Sequence, residues 1–282
     1  MFHTLCVLWY TITSNLIECD VLNVRKDQQG EKEMKIAFIG GGNMAKAMIT
    51  GIISSGLLPG ENIIVSDCDA SKADTTDNQT AVDFADYIFL TVKPQHYDSV
   101  IAELVRTENK VFITVAPGIK STCMSGKVIR TMPNTPALVG EGVTAVCRGK
   151  GVTDDEFEFV KKLLSSFSAV HEFSEPQMDD VVALSGSSPA YVYMFIEAMA
   201  NYSAKCGIDF DVALKMAAQT LRGAAKMVLE SDESPSVLCD RVCSKGGTTI
   251  KAVEKLQELD FSDVIEQAMD ACTKRVKELA AQ

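Results

Sequence analysis

The chain has 282 residues, 46% of them hydrophobic, with 27 basic against 38 acidic side chains and a formal net charge of -11. That length buries one large core or two ordinary ones, and the acidic balance argues against a nucleic-acid backbone as partner. The nine cysteines are odd in number, scattered and without a C-x-x-C pair, which disfavours a disulfide framework or a zinc site and fits reduced thiols inside a cell.

Residues 1–33 read as an N-terminal extension. The run from Leu5 to Tyr10 is apolar but too short to span a bilayer. No Lys or Arg precedes it, no small-residue cleavage site follows, and Glu18 and Asp20 argue against a transit peptide. The expectation is a disordered arm, or a start site upstream of the working one, on a cytoplasmic chain with no membrane partner.

From Lys35 to Phe173, short apolar runs alternate with helical patterns, the signature of a parallel sheet with crossover helices. The strand-like runs are 35–39, 63–66, 87–91, 111–115, 127–131, 144–147 and 169–173, with a helix start at Thr153-Asp154-Asp155-Glu156. The fold class expected is α/β: a Rossmann-like doubly wound parallel sheet over residues 34–174, followed by an all-helical domain over 175–282.

The first run enters Gly40-Gly41-Gly42-Asn43-Met44-Ala45, a G-x-G-x-x-A turn that opens a helical pattern. Gly40 permits the tight turn, Gly42 lets the main chain approach a pyrophosphate, and Ala45 keeps helix close to strand. Asp67 closes the second strand at the place where an acid accepts hydrogen bonds from a ribose 2′-hydroxyl, which favours NADH over NADPH. Thr91-Val92-Lys93-Pro94 ends a strand at the carboxyl edge of the sheet, where a doubly wound fold places its ligand.

Beyond Glu175 no strand pattern returns. Ser188-Pro189 reads as the cap and first position of a helix running to Lys205, stopped at Gly207. Asp209 caps a helix reaching Glu230, and Ser234-Pro235 starts a shorter one. Then come Ser244-Lys245-Gly246-Gly247-Thr248-Thr249 and helices from about Thr249 and Ser262. The glycine pair before a helix start bares N–H groups toward one spot, and a small carboxylate suits them. The apolar faces of so small a helical domain point to pairing with a second copy.

Together, FIGGGNMAKAM (38–48), VKP (92–94), RTMPNTPALVGEG (130–142), ALSGSSPAYVYMFIEAM (183–199), GAAKMVLES (223–231) and VCSKGGTTIKAV (242–253) resemble the pyrroline-5-carboxylate reductase family. The resemblance implies hydride transfer from NADPH or NADH to a cyclic imino acid, giving proline. It also implies homo-oligomers, homodimers or homodecamers, built from helical-domain dimers. By resemblance the main chain of Val92 and Lys93 faces the cofactor and Asn78 lies near the adenosine. The N–H groups of Gly247 and Thr248 hold the substrate carboxylate, and the Thr249 hydroxyl, the catalytic group, reaches the ring nitrogen. Ser244 supports the loop or touches substrate, and Glu175 and Asp232 approach the substrate ammonium region. Ser185, Ser187 and Pro189 shape the floor.

The chain departs from the family in two places. Only residues 70–83 stand where members carry a helix and a further strand, and the 118–127 segment is short, with Pro117 in place of a small residue. A β-hydroxyacid dehydrogenase shares the nucleotide motif and a helical second domain, but its chemistry uses a base, commonly a helical lysine. Residues 180–204 contain no lysine. A nucleotide-binding regulator that has lost catalysis carries a broken glycine–threonine loop, and this loop is intact.

Overall fold

The computed structural model describes residues 34–280. The reading of 1–33 as an extension lies outside the described residues. From Lys35 onward the chain forms one compact unit.

Strand β1 (Ile36–Ile39) is buried along its whole length and lies next to the edge strand of a seven-stranded sheet of order β2-β1-β3-β4-β5-β6-β7. Its neighbours are β2 (Ile63–Ser66) and β3 (Tyr87–Leu90), followed outward by β4 (Val111–Thr114), β5 (Lys127–Pro133), β6 (Gly142–Arg148) and β7 (Ser168–Glu172). Runs such as IAFI, YIFL and VFIT are buried at every position, and apolar but for Thr114, because both faces of the inner sheet are covered. Phe38 of β1 stacks on Phe89 of β3 at 4.8 Å between ring centroids. Each such side chain, fully buried, contributes about 1.5–3 kcal/mol.

The sheet is parallel except where β6 runs antiparallel to β5. The 134–141 connection holds only a 3₁₀ turn, Thr135–Val139, too short for the crossover that a parallel neighbour requires. Four helices accompany the sheet, and a fifth departs from it. They are α1 (Asn43–Ser54), α2 (Asn78–Phe84), α3 (Tyr97–Glu103), α4 (Asp154–Leu164) and, leaving the sheet altogether, α5 (Ser188–Lys205). At the start of α4 the hydroxyl of Thr153 accepts the Glu156 N–H while the Glu156 carboxylate accepts the Thr153 N–H, a reciprocal cap that fixes the start. Phe157, Val160, Leu163 and Leu164 form its buried stripe.

The segment after β2 contains no long crossover helix. A 3₁₀ turn, Ala70–Lys72, leads into a single parallel bridge between Ser66 and Thr75. Residues 67–77 thus form a strap along β2 in place of the missing helix and strand.

The helical part continues with α6 (Phe210–Glu230), α7 (Pro235–Val242), α8 (Thr248–Glu258) and α9 (Phe261–Ala280). Ser188 is the first residue of α5, not its cap. Ser187 precedes it in helical conformation without a side-chain cap, because a one-turn π-helix, Val182–Gly186, feeds directly into α5. Asp209 caps α6 as expected, accepting the Val212 N–H at 3.0 Å. Within this chain the helices are thinly buried: α6 buries only Ala213 and Ala217, and α7 and α8 bury no side chain. Tyr193, Met194, Tyr202, Met216, Leu229 and Val242 stand exposed.

Candidate functional site

The order of the strands reverses at β1, which has β2 on one side and β3 on the other. Ligands of doubly wound sheets bind in the crevice outside the strand ends at such a reversal. The glycine turn lies there. Gly40 has φ +104, and a Cβ on it meets the main-chain carbon of Thr91 and nitrogen of Val92 at 2.9 Å. Neither the conformation nor the space admits a side chain.

Several bonds hold this turn. The Gly40 N–H donates to the Ser66 carbonyl at 2.7 Å, and the Thr91 hydroxyl lies 2.7 Å from the Gly40 carbonyl. Beneath it, the buried Tyr97 hydroxyl donates to the Leu90 carbonyl at 2.6 Å and accepts the Val115 N–H at 3.2 Å. It ties the ends of β3 and β4 together.

Gly42 takes the cap position of α1 in extended conformation with no side-chain cap, and a Cβ there meets nothing within 4 Å. The N-terminus of α1 therefore opens onto free space, with Asn43 exposed and Met44 half-buried. Ala45 is fully buried against the sheet. Gly41 has a different task. Its N–H donates to Asp67 Oδ2 at 2.7 Å, and the Lys72 carbonyl of the strap comes within 2.4 Å of where its Cβ would be.

Asp67 is thus partly engaged within the chain. Its Oδ1 accepts the Asp69 N–H at 2.9 Å; this bond, and that from Gly41, outweigh burial and hold its carboxyl below the usual aspartate range. It faces a cavity of about 390 Å³ at the ends of β1 and β2, shared with Gly40, Asn78, Val92, His96 and Glu103. The Ser66 hydroxyl donates to Asn78 Oδ1 at 2.7 Å, and Asn78 Nδ2 donates to Glu103 Oε2 at 3.4 Å. Val92 is half-buried, and the exposed Lys93 precedes the 3₁₀ turn Pro94–His96. A tight glycine turn, an uncapped helix start and a polar-walled cavity suit a dinucleotide's pyrophosphate and adenosine.

The second candidate site is the loop before α8. Gly246 has φ +74, and the Gly247 N–H donates to the Ser244 carbonyl at 2.9 Å. A Cβ on Gly247 lies 2.3 Å from Ser244 Oγ, so Ser244 packs on the glycine and shapes the turn. Gly247 caps α8 in extended conformation without a side-chain partner, leaving the first N–H groups of the helix available to an anion. Thr248 is exposed and Thr249 half-buried. Asp232 lies in the turn between α6 and α7. Among the described residues, no hydrogen bond of the 244–249 loop reaches the sheet.

Glu175 is engaged elsewhere. Arg130, only 3% exposed at its side chain, pairs with Glu175 at 2.9 Å and Asp179 at 2.5 Å, and the Ser121 N–H donates to Glu175 at 3.2 Å. Burial pushes the Glu175 carboxyl up, yet the bonds from Ser121 and the Arg130 charge outweigh it and hold it below the usual range. The cluster joins β5 to the start of the helical part. Burial and this carboxylate together push the Cys147 thiol up to about 11, which keeps it protonated and inert.

Sequence reasoning did not anticipate Asn134 of the MPNTP run as a stitch. It donates to the Ser185 carbonyl at 3.0 Å and accepts the Val143 N–H at 2.9 Å. Nor did it foresee the π-turn, where Met132 Cε lies 2.6 Å from a Cβ placed on Gly186. Ser185 is buried and its hydroxyl bonds the Val181 carbonyl at 3.3 Å, while Ser187 contacts the Cys272 thiol at 3.2 Å.

A doubly wound sheet with this turn, carrying a helical second part, defines an oxidoreductase built on a dinucleotide-binding fold. Residues 35–118 match the family described as NADP oxidoreductase, coenzyme F420-dependent, and residues 175–279 match pyrroline-5-carboxylate reductase dimerisation. The chain is 40% identical over 266 residues to pyrroline-5-carboxylate reductase of Escherichia coli, covering 88% of this chain and 99% of that protein. It is 35% identical to the Arabidopsis thaliana enzyme, covering 88% and 96%. The crystal structure of Plasmodium falciparum pyrroline carboxylate reductase with NADP bound superposes with a TM-score of 0.82 at 28% identity, covering 89% and 100%. That from Coxiella burnetii gives 0.80 at 30%, covering 88% and 99%. The chain belongs to the pyrroline-5-carboxylate reductase family.

Proposed function

We propose that this chain reduces 1-pyrroline-5-carboxylate to L-proline with NADPH or NADH, the last step of proline biosynthesis. The observation that carries the reading is a pair of uncapped helix starts, each following a glycine turn, in one chain of this family. One suits a dinucleotide pyrophosphate and the other a small carboxylate.

The nicotinamide, when bound, supplies the hydride. The residues of the chain hold and orient. Gly40 to Ala45 cradle the pyrophosphate through the open start of α1, and Asp67 and Asn78 line the adenosine cavity. The strand end Thr91-Val92-Lys93-Pro94 presents its main chain to the nicotinamide half. The N–H groups of Gly247 and Thr248 take the substrate carboxylate, and Ser244 keeps that loop in shape. The hydroxyl of Thr249 bonds the ring nitrogen. It donates or accepts as needed, serving both imine and amine. Hydride adds to C5 of the protonated imine, the C=N pair moves to nitrogen, and proline results. A protonated imine is already electrophilic, so orientation, worth about 7–11 kcal/mol of barrier, outweighs any single bond. Asp232 lies on the approach to the ring nitrogen, and Glu175, paired with Arg130, anchors the start of the helical part.

In this reading residues 1–33 form the extension, 34–174 the dinucleotide domain and 175–282 the substrate and dimerisation domain. The working form is a homo-oligomer built from helical-domain dimers. Its support is the exposed apolar set on α5 to α8 and the apolar groove of about 490 Å³ lined by Tyr191, Met194, Phe195 and Phe261. Met194→Asp together with Phe195→Asp is expected to yield monomers by light scattering; unchanged dimers exclude this face. The free described cysteines suit a reducing compartment, the cytoplasm, and no described helix is long and apolar enough to cross a membrane. A steady-state assay of the purified chain with 1-pyrroline-5-carboxylate and each reduced nicotinamide tests the function. Turnover of the imino acid is expected; turnover of hydroxyacids alone refutes it.

A further inference from the structure

We propose that the chain selects NAD(H) over NADP(H) through two carboxylates that line the adenosine cavity together, Asp67 at the end of β2 and Glu103 on α3. The proposal rests on the cofactor reading above and specifies it. The cavity of about 390 Å³ is lined by Asp67 and Glu103 and by no lysine or arginine. It stands at the end of the strand that carries the ribose in doubly wound folds. A phosphate monoester on the ribose carries about -1.5 to -2 charges near neutral pH. Between two acids and without a cation it is repelled, whereas a 2′-hydroxyl donates to either carboxylate.

Both acids are fixed by the chain itself. Asp67 is held by the N–H groups of Gly41 and Asp69, and each carboxylate oxygen retains capacity to accept a ribose hydroxyl. Glu103 is held by Asn78, whose other end accepts the Ser66 hydroxyl. The relay Ser66–Asn78–Glu103 therefore links β2 to α3 and holds the second acid at the same cavity as the first. Asn78 acts here as a positioning residue. His96 also lines the cavity, but an imidazole bonds an adenine nitrogen or a ribose oxygen in either cofactor and does not choose between them. The nearest strap cation, Lys72, is paired with Asp69 at 2.7 Å and is not part of the lining.

The test is isothermal titration of the full chain with NAD⁺ and with NADP⁺, accompanied by the ratio of kcat/KM for NADH and NADPH. The parent is expected to bind NAD⁺ about tenfold or more tightly than NADP⁺. Glu103→Gln is the decisive variant, because the residue is exposed and its loss leaves the strap intact. It should shift the ratio of NAD⁺ to NADP⁺ affinity toward NADP⁺ by about three- to tenfold. Asp67→Ser should shift the ratio further, and thermal melting reports any loss of the Gly41 bond separately. A parent that prefers NADP⁺, an unshifted ratio in Glu103→Gln, or selective loss of NADP⁺ binding in Lys72→Ala overturns the proposal. If neither dinucleotide binds the folded parent, the cofactor reading falls and this proposal falls with it. Binding of both with equal affinity leaves the cofactor reading standing and removes the selector.

Discussion

Replacing the glycines of the first turn one at a time separates folding from binding. At Gly40 the backbone sits at φ +104, and an added Cβ lies 2.9 Å from main-chain atoms of Thr91 and Val92. The conformation costs about 1–3 kcal/mol for an L residue, and forcing the methyl against backbone adds about 1–3 kcal/mol more. At about 2–4 °C per kcal/mol for a chain of this size, Gly40→Ala is expected to melt at least about 4 °C below the parent. Gly42 has φ -73 and ψ -173, allowed for any residue, and open space where its Cβ would be. Gly42→Ala should therefore melt within about 2 °C of the parent, since the weaker cap offered by alanine and the stiffer unfolded chain roughly offset. Its methyl stands where a pyrophosphate approaches, so dinucleotide affinity should fall about tenfold or more, equal to about 1.4 kcal/mol. The assay pairs thermal melting with titration of NAD⁺ and NADP⁺. A Gly42→Ala protein that binds like the parent would falsify the turn as the phosphate site. A Gly40→Ala protein as stable as the parent refutes the clash.

Thr249→Ala removes a hydroxyl that caps nothing in α8, so it should cost about 1.5–3 kcal/mol of transition-state stabilisation, about ten- to a hundredfold in kcat/KM, with melting nearly unchanged. Thr249→Ser should recover most of it, and equal activity in both variants leaves Thr249 a turn residue. Glu175→Gln probes the buried cluster. Because the folded carboxyl is held below its ordinary 4.5, its stabilisation is present above that value and lost as pH falls through the depressed folded value. The gap in Tm between parent and variant should be widest near neutrality and close as pH falls through the depressed folded value; a gap independent of pH removes the ionic explanation. A chain starting at Met34 should fold and turn over like the full chain, since the first strand begins at Ile36. Loss of activity on truncation gives residues 1–33 a structural task.

The sheet and its cofactor turn were legible because both rest on local rules. Uninterrupted apolar runs mark doubly covered strands, and Gly40 occupies a position that backbone geometry dictates, while Gly42 leaves the helix start open. The antiparallel β6 was not, since direction follows from how much chain the 134–141 turn provides rather than from any residue in β6. Ser188 carried a cap signature that the π-turn overrode by delivering the chain already helical. Gly41 and Asp67 read as cofactor residues, yet they also bond to one another, a pairing across the turn that spacing does not reveal. Glu103 gave no signal in the sequence: an acid at the end of a helix is ordinarily solvated, and only the fold brings it to the same cavity as Asp67. The family motifs located the Ser244–Thr249 loop, while the uncapped start of α8 came from the backbone.

The strap beside β2 also closes that edge of the sheet against its own kind. An outermost strand reading Ile-Ile-Val is a template on which another chain can add, through the row of donors it turns outward. Here that row is consumed at home. The Ile63 N–H donates to the Gly60 carbonyl, the Val65 N–H to the Asp74 carboxylate at 2.9 Å, and the Asp67 N–H to the Thr75 carbonyl at 3.2 Å. Shortening the segment after β2 has thus removed a strand without leaving an adhesive border, and the acids that seal it add repulsion toward any approaching copy. Under the proposed pairing through helices, the β2 edge offers copies no second way to meet.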